Sequence, residues 1–154
     1  MPIFPRRWLL PLLCLINTIA CAGETPPSSE RFAARAVSSL SSGIRYKFGG
    51  TDPDSGLDCS AFIALLYKDA GGGELPRTAR EISEVGAAVD VAALQPGDLV
   101  FFRNAQRGIA HVGIYVGDES FVHASRKHGV IYQSRLNEPY WKSRFKGARR
   151  LPQS

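Results

Sequence analysis

The spacing of apolar positions changes character twice along the chain, from an unbroken apolar run, to helical periods, to strict alternation. Phe32, Ala36, Val37 and Leu40 fall close to one helical face, which predicts a helix from about Glu30, ended by Ser41-Ser42-Gly43. Tyr46-Lys47-Phe48-Gly49-Gly50 leads into a turn-rich loop over residues 51–56. Asp58 to Ala70 reads as a second helix, stopped by Gly71-Gly72-Gly73. Its apolar residues lie nearly all round, as a central buried helix requires. Thr78 and Glu81 form a capping box that opens a third helix, expected to run to about Val85 or Ala87. From Leu94 the period becomes two. Strands are predicted at Leu99–Arg103, Ala110–Val116, Ser120–Ala124, Val130–Ser134 and Phe145–Leu151, with Gln95-Pro96-Gly97-Asp98 and Gly117-Asp118 as turns. Helices first and closely spaced strands after imply an α+β domain, with helices packed on an antiparallel sheet.

The unbroken run lies at the start. Trp8 to Ala20 is a stretch of 13 mostly apolar residues, short of the about 20 that span a membrane. Arg6 and Arg7 precede it and Ala20-Cys21-Ala22 closes it with small residues at the ends. This predicts a secretory signal peptide over residues 1–22, followed by a linker at 23–29 and one domain at 30–154. Thr18-Ile19-Ala20-Cys21 offers a second route, a lipoprotein leader cut before Cys21, which would be lipidated. That box departs at Thr18, where an aliphatic residue is usual.

Export changes the meaning of the cysteines. Of Cys14, Cys21 and Cys59, only Cys59 remains after cleavage at Ala22, so no internal disulfide can form. A single free thiol in an oxidising compartment is unusual. Without Arg6 and Arg7 the net charge falls from +5 to about +3, a balance suited to an anionic polymer such as a cell wall. The sequence carries no nucleic-acid-binding motif. Lys142, Arg144, Lys146, Arg149 and Arg150 read as a solvated strand.

Cys59 sits where a Gly/Asp-rich loop enters the second helix. Backbone N–H groups and the positive end of the helix dipole collect there and favour a thiolate. Asp58 is adjacent and fits an N-cap better than the acid of a catalytic triad. A cysteine nucleophile needs a base, and the base an orienting partner. His111 and His123 lie on consecutive strands joined by a short turn, so they meet if they face the same side. His111 is then the base and His123 fixes its tautomer. His128 sits by Gly129 in a turn and has no assigned role. The histidines lack a carboxylate or cysteine at ligand spacing, so no metal is expected.

At this point several segments, in order, resemble the NlpC-type cell-wall peptidases, a papain-like group of cysteine endopeptidases. They are Tyr46 to Gly50, Gly56 to Ser60, Leu75 to Thr78, Gln95 to Phe102, Ala110 to Tyr115 and Phe121 to Ala124. The resemblance implies a papain-like α+β fold with Cys59 on the central helix and both histidines on the sheet. It implies a secreted or envelope enzyme that hydrolyses peptidoglycan stem peptides with no cofactor. The bond would be γ-D-glutamyl–diaminopimelate or the diaminopimelate–D-alanine crosslink. It also implies that Tyr46 is an oxyanion or substrate contact beside the Cys59 N–H, and that Asp58, Ser60 and Arg77 line the cleft, with Arg77 reading a stem-peptide carboxylate. Ala61 stands where the family usually has glycine, which affects the groove more than the nucleophile. Two rivals remain open on sequence: a papain-like amidase or acyltransferase, and a wall-binding module without turnover. Membrane attachment is expected only through Cys21.

Overall fold

The structure is a computed structural model and describes residues 28–106 and 108–152. The predicted leader, with its predicted cleavage or lipidation at Cys21, lies outside the described residues. The first helix, α1 (Ser28–Ser38), begins inside the predicted linker and runs on into a short 3-10 turn at Ser39–Ser41. Phe32, Ala33 and Ala36 form its buried face.

Two two-residue strands, β1 (Thr51–Asp52) and β2 (Gly56–Leu57), pair antiparallel across the predicted loop. Helix α2 (Cys59–Asp69) then starts on Asp58, whose carboxylate accepts from the Ala61 N–H at 2.9 Å. Ser60, Phe62, Ile63 and Leu66 are buried, while Ala61, Ala64 and Leu65 are only half-buried. The helix is therefore not buried all round: that second apolar face forms the wall of a cleft.

Thr78 and Glu81 cap the third helix as the sequence predicts, but α3 (Ala79–Ile82) is a single turn. Gly86 takes a φ of +76° and turns the chain into a strand that the periodicity did not reveal, β3 (Ala87–Val89). The predicted strands follow within a residue or two: β4 (Leu99–Arg103), β5 (Ile109–Gly117), β6 (Ser120–Ser125), β7 (Val130–Arg135) and β8 (Phe145–Arg150). A one-turn helix, α4 (Pro139–Lys142), joins the last two, with Pro139 in its first turn.

The six strands form one sheet in the order β3-β8-β4-β5-β6-β7, antiparallel throughout. Leu99, Phe101, Val112, Ile114, Val122 and Ala124 alternate onto the face that packs against α1, α2 and α3, with Phe32, Phe62, Ile63 and Ile82 opposite. The other face carries a smaller cluster of Val100, Phe102, Phe121 and Ala148, with Trp141 of α4 and Phe145 over it. Gly113 allows the close fit of β5 on β6, since a Cβ there would stand 2.6 Å from the Phe121 ring.

The basic residues of β8 are not uniformly solvated. Asp98, 1% exposed, accepts from Arg150 Nε and Nη2, both at 2.8 Å, and from the Gln95 N–H at 2.8 Å. Arg149 reaches the Gly86 carbonyl at 3.3 Å. Arg144, just before β8, lies 3.9 Å above the Tyr140 ring.

Candidate active site

Cys59 is the first residue of α2 and is half-buried. Burial pushes its thiol up to about 11, and the Asp58 charge acts in the same direction. The backbone N–H groups of Val112, Ser60 and Cys59 itself pull the other way without overcoming it. The helix start thus supplies the N–H groups expected from sequence, while desolvation acts against them and favours the neutral thiol. The Val112 N–H contribution places the sulfur beside β5, next to His111.

His111 and His123 face each other. Ile114 pairs with Val122 and Tyr115 with Phe121. Extending that register puts His111 opposite Ser125 and diagonal to His123, on the same face of the sheet. His111 Nε2 lies 2.8 Å from His123 Nδ1. His111 Nδ1 lies outside this contact. Burial lowers His111 to about 4. His123 is lowered well below its ordinary value, by burial first and then by the His111 and His128 charges. Both rings are therefore neutral at neutral pH, as a base must be to accept a proton.

Two neighbours of this pair were not found in the sequence. Ser134 of β7 places its Oγ 3.0 Å from His123 Nε2. Trp141 stacks on His111 with ring centroids 5.5 Å apart and meets His123 edge-on at 5.0 Å. The sequence signal for Trp141 was Pro139, a helix-opening residue just before it. Ser134 gave none, because only strand pairing brings it beside His123.

Tyr46 is held by backbone pairing on both sides. Its N–H donates to the Gly129 carbonyl at 2.8 Å, and the Leu57 N–H donates to the Arg45 carbonyl at 2.9 Å. This stitches the Tyr46–Gly50 segment between the β6–β7 turn and the approach to Cys59. Burial raises the Tyr46 phenol, with the Cys59 and Asp58 charges adding and Arg126 opposing. It stays protonated and able to donate.

Asp58, Ser60 and Arg77 form one network. Arg77 Nη2 and Nη1 donate to the two Asp58 carboxylate oxygens at 2.7 and 3.2 Å, and Nη1 donates to Ser60 Oγ at 2.9 Å. Ser60 Oγ in turn donates to Asp58 Oδ1 at 3.1 Å. Burial alone would raise Asp58. Hydrogen bonds from Arg77, Ala61 and Ser60 outweigh it and hold the carboxyl below its ordinary value. The guanidinium fork expected to meet a substrate carboxylate is thus engaged by Asp58. Asp58 is the helix cap, as the sequence suggested, and carries this second role as well. The network borders a cavity of about 320 Å³, lined by Ser60, Ala61, Ala64, Leu65, Leu75 and Arg77 among others. The Ala61 methyl lies in that wall.

The model of the NlpC/P60 family matches residues 43–150. The murein DD-endopeptidase MepS/murein LD-carboxypeptidase of Escherichia coli (strain K12) is 48% identical over 109 residues, covering 71% of this chain and 56% of that protein. This chain thus spans little more than half of that relative's length. A protein of the same organism named "Probable endopeptidase NlpC" is 35% identical over 153 residues, covering 90% of this chain and 97% of that protein. The crystal structure of an NlpC/P60 family protein from Bacillus cereus superimposes with a TM-score of 0.72 at 35% identity, over 82% of this chain and 41% of that one. The sheet order, the helix that begins at Cys59 and these likenesses agree, and the chain belongs to the NlpC/P60 family.

Proposed function

We propose that the chain is a peptidoglycan endopeptidase of the cell envelope that cleaves stem-peptide bonds through Cys59, His111 and His123. The observation that carries this reading is the 2.8 Å contact of His111 Nε2 with His123 Nδ1 beside a cysteine at a helix N-terminus. One ring is oriented by the other and keeps its second nitrogen for the thiol.

The resting pair is neutral, so proton transfer accompanies attack rather than preceding it. The Cys59 thiol gives its proton to His111 Nδ1 as sulfur adds to the scissile carbonyl. The Cys59 N–H and the Tyr46 hydroxyl donate to the developing oxyanion. His111 then protonates the leaving amine, and a thioester remains on Cys59. Water, deprotonated by the same nitrogen, releases the acid and restores the thiol. The Asp58–Ser60–Arg77 network lines the cleft and presents Ser60 and the outer edge of the guanidinium to the stem peptide.

Relatives named as murein DD-endopeptidases favour the diaminopimelate–D-alanine crosslink. A relative named gamma-DL-glutamyl hydrolase, from Bacillus subtilis (strain 168), keeps the γ-D-glutamyl–diaminopimelate bond as the second choice. Purified peptidoglycan is digested with the wild type and with Cys59→Ala, and released fragments are identified by mass spectrometry. Monomeric stem peptides freed from crosslinked dimers by the wild type alone are expected. No fragments from either protein would overturn the enzymatic reading and favour a wall-binding module. Export through residues 1–22, or lipidation at Cys21, belongs to the same proposal. The mass of the mature N-terminus in the producing cell distinguishes a cut after Ala22 from a lipidated Cys21.

A further inference from the structure

The histidine pair is not the end of the polar row on the sheet. His123 pairs with Tyr132 across β6 and β7, and Phe121 pairs with Ser134. Ser134 is therefore the diagonal neighbour of His123, just as His111 is on the other side. Three side chains form one line across three adjacent strands: His111 on β5, His123 on β6 and Ser134 on β7. Its contacts are 2.8 Å and 3.0 Å. His123 is 1% exposed and Ser134 is 4% exposed, so water does not readily substitute for either partner.

Such a row has two polarities, and only one serves the reaction. In the first, His111 carries its proton on Nε2 and donates to a bare His123 Nδ1, so His111 Nδ1 is bare and can take the thiol proton. In the second, His123 carries its proton on Nδ1 and donates to His111 Nε2. His111 then holds its proton on Nδ1 and cannot act as a base. The place of the single proton on neutral His123 decides between them.

We propose that Ser134 is a positioning residue. Its hydroxyl accepts from His123 Nε2–H, which keeps His123 Nδ1 bare and thereby gives His111 the tautomer with a free Nδ1. Without the hydroxyl, the productive polarity takes from a buried N–H its side-chain acceptor, a costly arrangement. The reversed polarity leaves only a bare nitrogen unpaired. Alanine at 134 therefore shifts the row toward the inactive form. This rests on the reading of Cys59 and His111 as nucleophile and base.

The test uses the whole protein, with ¹⁵N-labelled histidines, as wild type, Ser134→Ala and Ser134→Thr at neutral pH. Nitrogen shifts report which ring atom is protonated, whether or not peptidoglycan is cleaved. In the wild type, His111 and His123 should both be protonated at Nε2. In Ser134→Ala, His123 should move toward Nδ1 protonation, and kcat on peptidoglycan should fall about tenfold or more with KM within about twofold. Ser134→Thr, which keeps the hydroxyl, should restore the wild-type tautomer. An Nδ1-protonated His123 in the wild type overturns the proposal even if no variant folds. So does a Ser134→Ala protein with unchanged tautomers and unchanged kcat. A wild type that shows the expected tautomers but cleaves nothing supports the positioning role and counts against the proposed function alone.

Discussion

At Cys59 two effects of one location oppose each other. The helix start aims N–H groups at the sulfur, which favours a thiolate, while the packing that forms the site withdraws the sulfur from water, which disfavours it. Desolvation wins, holding the thiol at about 11 and His111 at about 4. An ion pair would have appeared as a thiol acidic enough to alkylate at low pH. Instead, the rate of iodoacetamide modification should rise in the alkaline range, with a midpoint above the roughly 8.5 of a free cysteine. A midpoint near neutrality would show that the thiolate–imidazolium pair is the resting form. Trp141 covers both histidines on the sheet face opposite the helices. Its stack on His111 and edge contact with His123 restrict both rings and shield them from solvent. Trp141→Ala should lower stability by about 3 kcal/mol or more, read by denaturant unfolding. Trp141→Phe, which keeps an aromatic face, should lose less. Equal losses would mean that the stack contributes only volume.

At the level of elements, α2 shows what a sequence can and cannot disclose. Its limits were legible because both are local: Asp58 caps it and three glycines follow it. The capping box of α3 was equally legible, but its length was not, because Gly86 redirects the chain to pair with β8, a partner more than fifty residues away. Strands β4 to β8 followed from alternation. The His111–His123 meeting followed from alternation plus one short turn. Ser134 and Trp141 stayed hidden because their roles arise from strand pairing and packing, which spacing alone does not encode. The Asp58 network belongs to this scale as well, since it ties the start of α2 to the loop before α3. Asp58→Ala removes the Ala61 cap and the partner of Arg77. The pair is partly exposed, with side-chain exposures of 15% and 45%, so most of the loss should come from the cap. Unfolding free energy should fall by about 1–2 kcal/mol. Asp58→Asn, which still caps, should retain more than half of that. An Asn variant as unstable as the Ala variant would transfer the weight from the cap to the ion pair.

Across the whole molecule, burial has been extended to groups that prefer water, and acid should expose the consequence. Asp98 and Arg150 join the turn before β4 to the end of β8, and Asp98 is almost fully enclosed. Arg150→Met would leave that carboxylate buried without its partner, at a cost of about 3–5 kcal/mol. The histidines act through protons instead. His111 is lowered from 6.5 to about 4 in the folded chain, and His123 is lowered as well. The unfolded chain therefore binds protons between those values that the native chain does not. Stability is fully present above about 6.5 and declines as pH falls toward about 4. For His111 alone the loss approaches about 3 kcal/mol. Asp58 adds to this lower down. Its folded value lies below 3.8, so its contribution is held above the ordinary carboxylate range and lost as pH falls through the depressed value. The melting temperature should thus drop steadily from mildly acidic pH downward, beginning well above the range where carboxylates protonate. The His111 and His123 ring signals should not titrate over the first part of that fall. A melting temperature flat down to pH 4 would mean that the rings protonate in place, and that the sheet face beneath Trp141 admits water enough to solvate them.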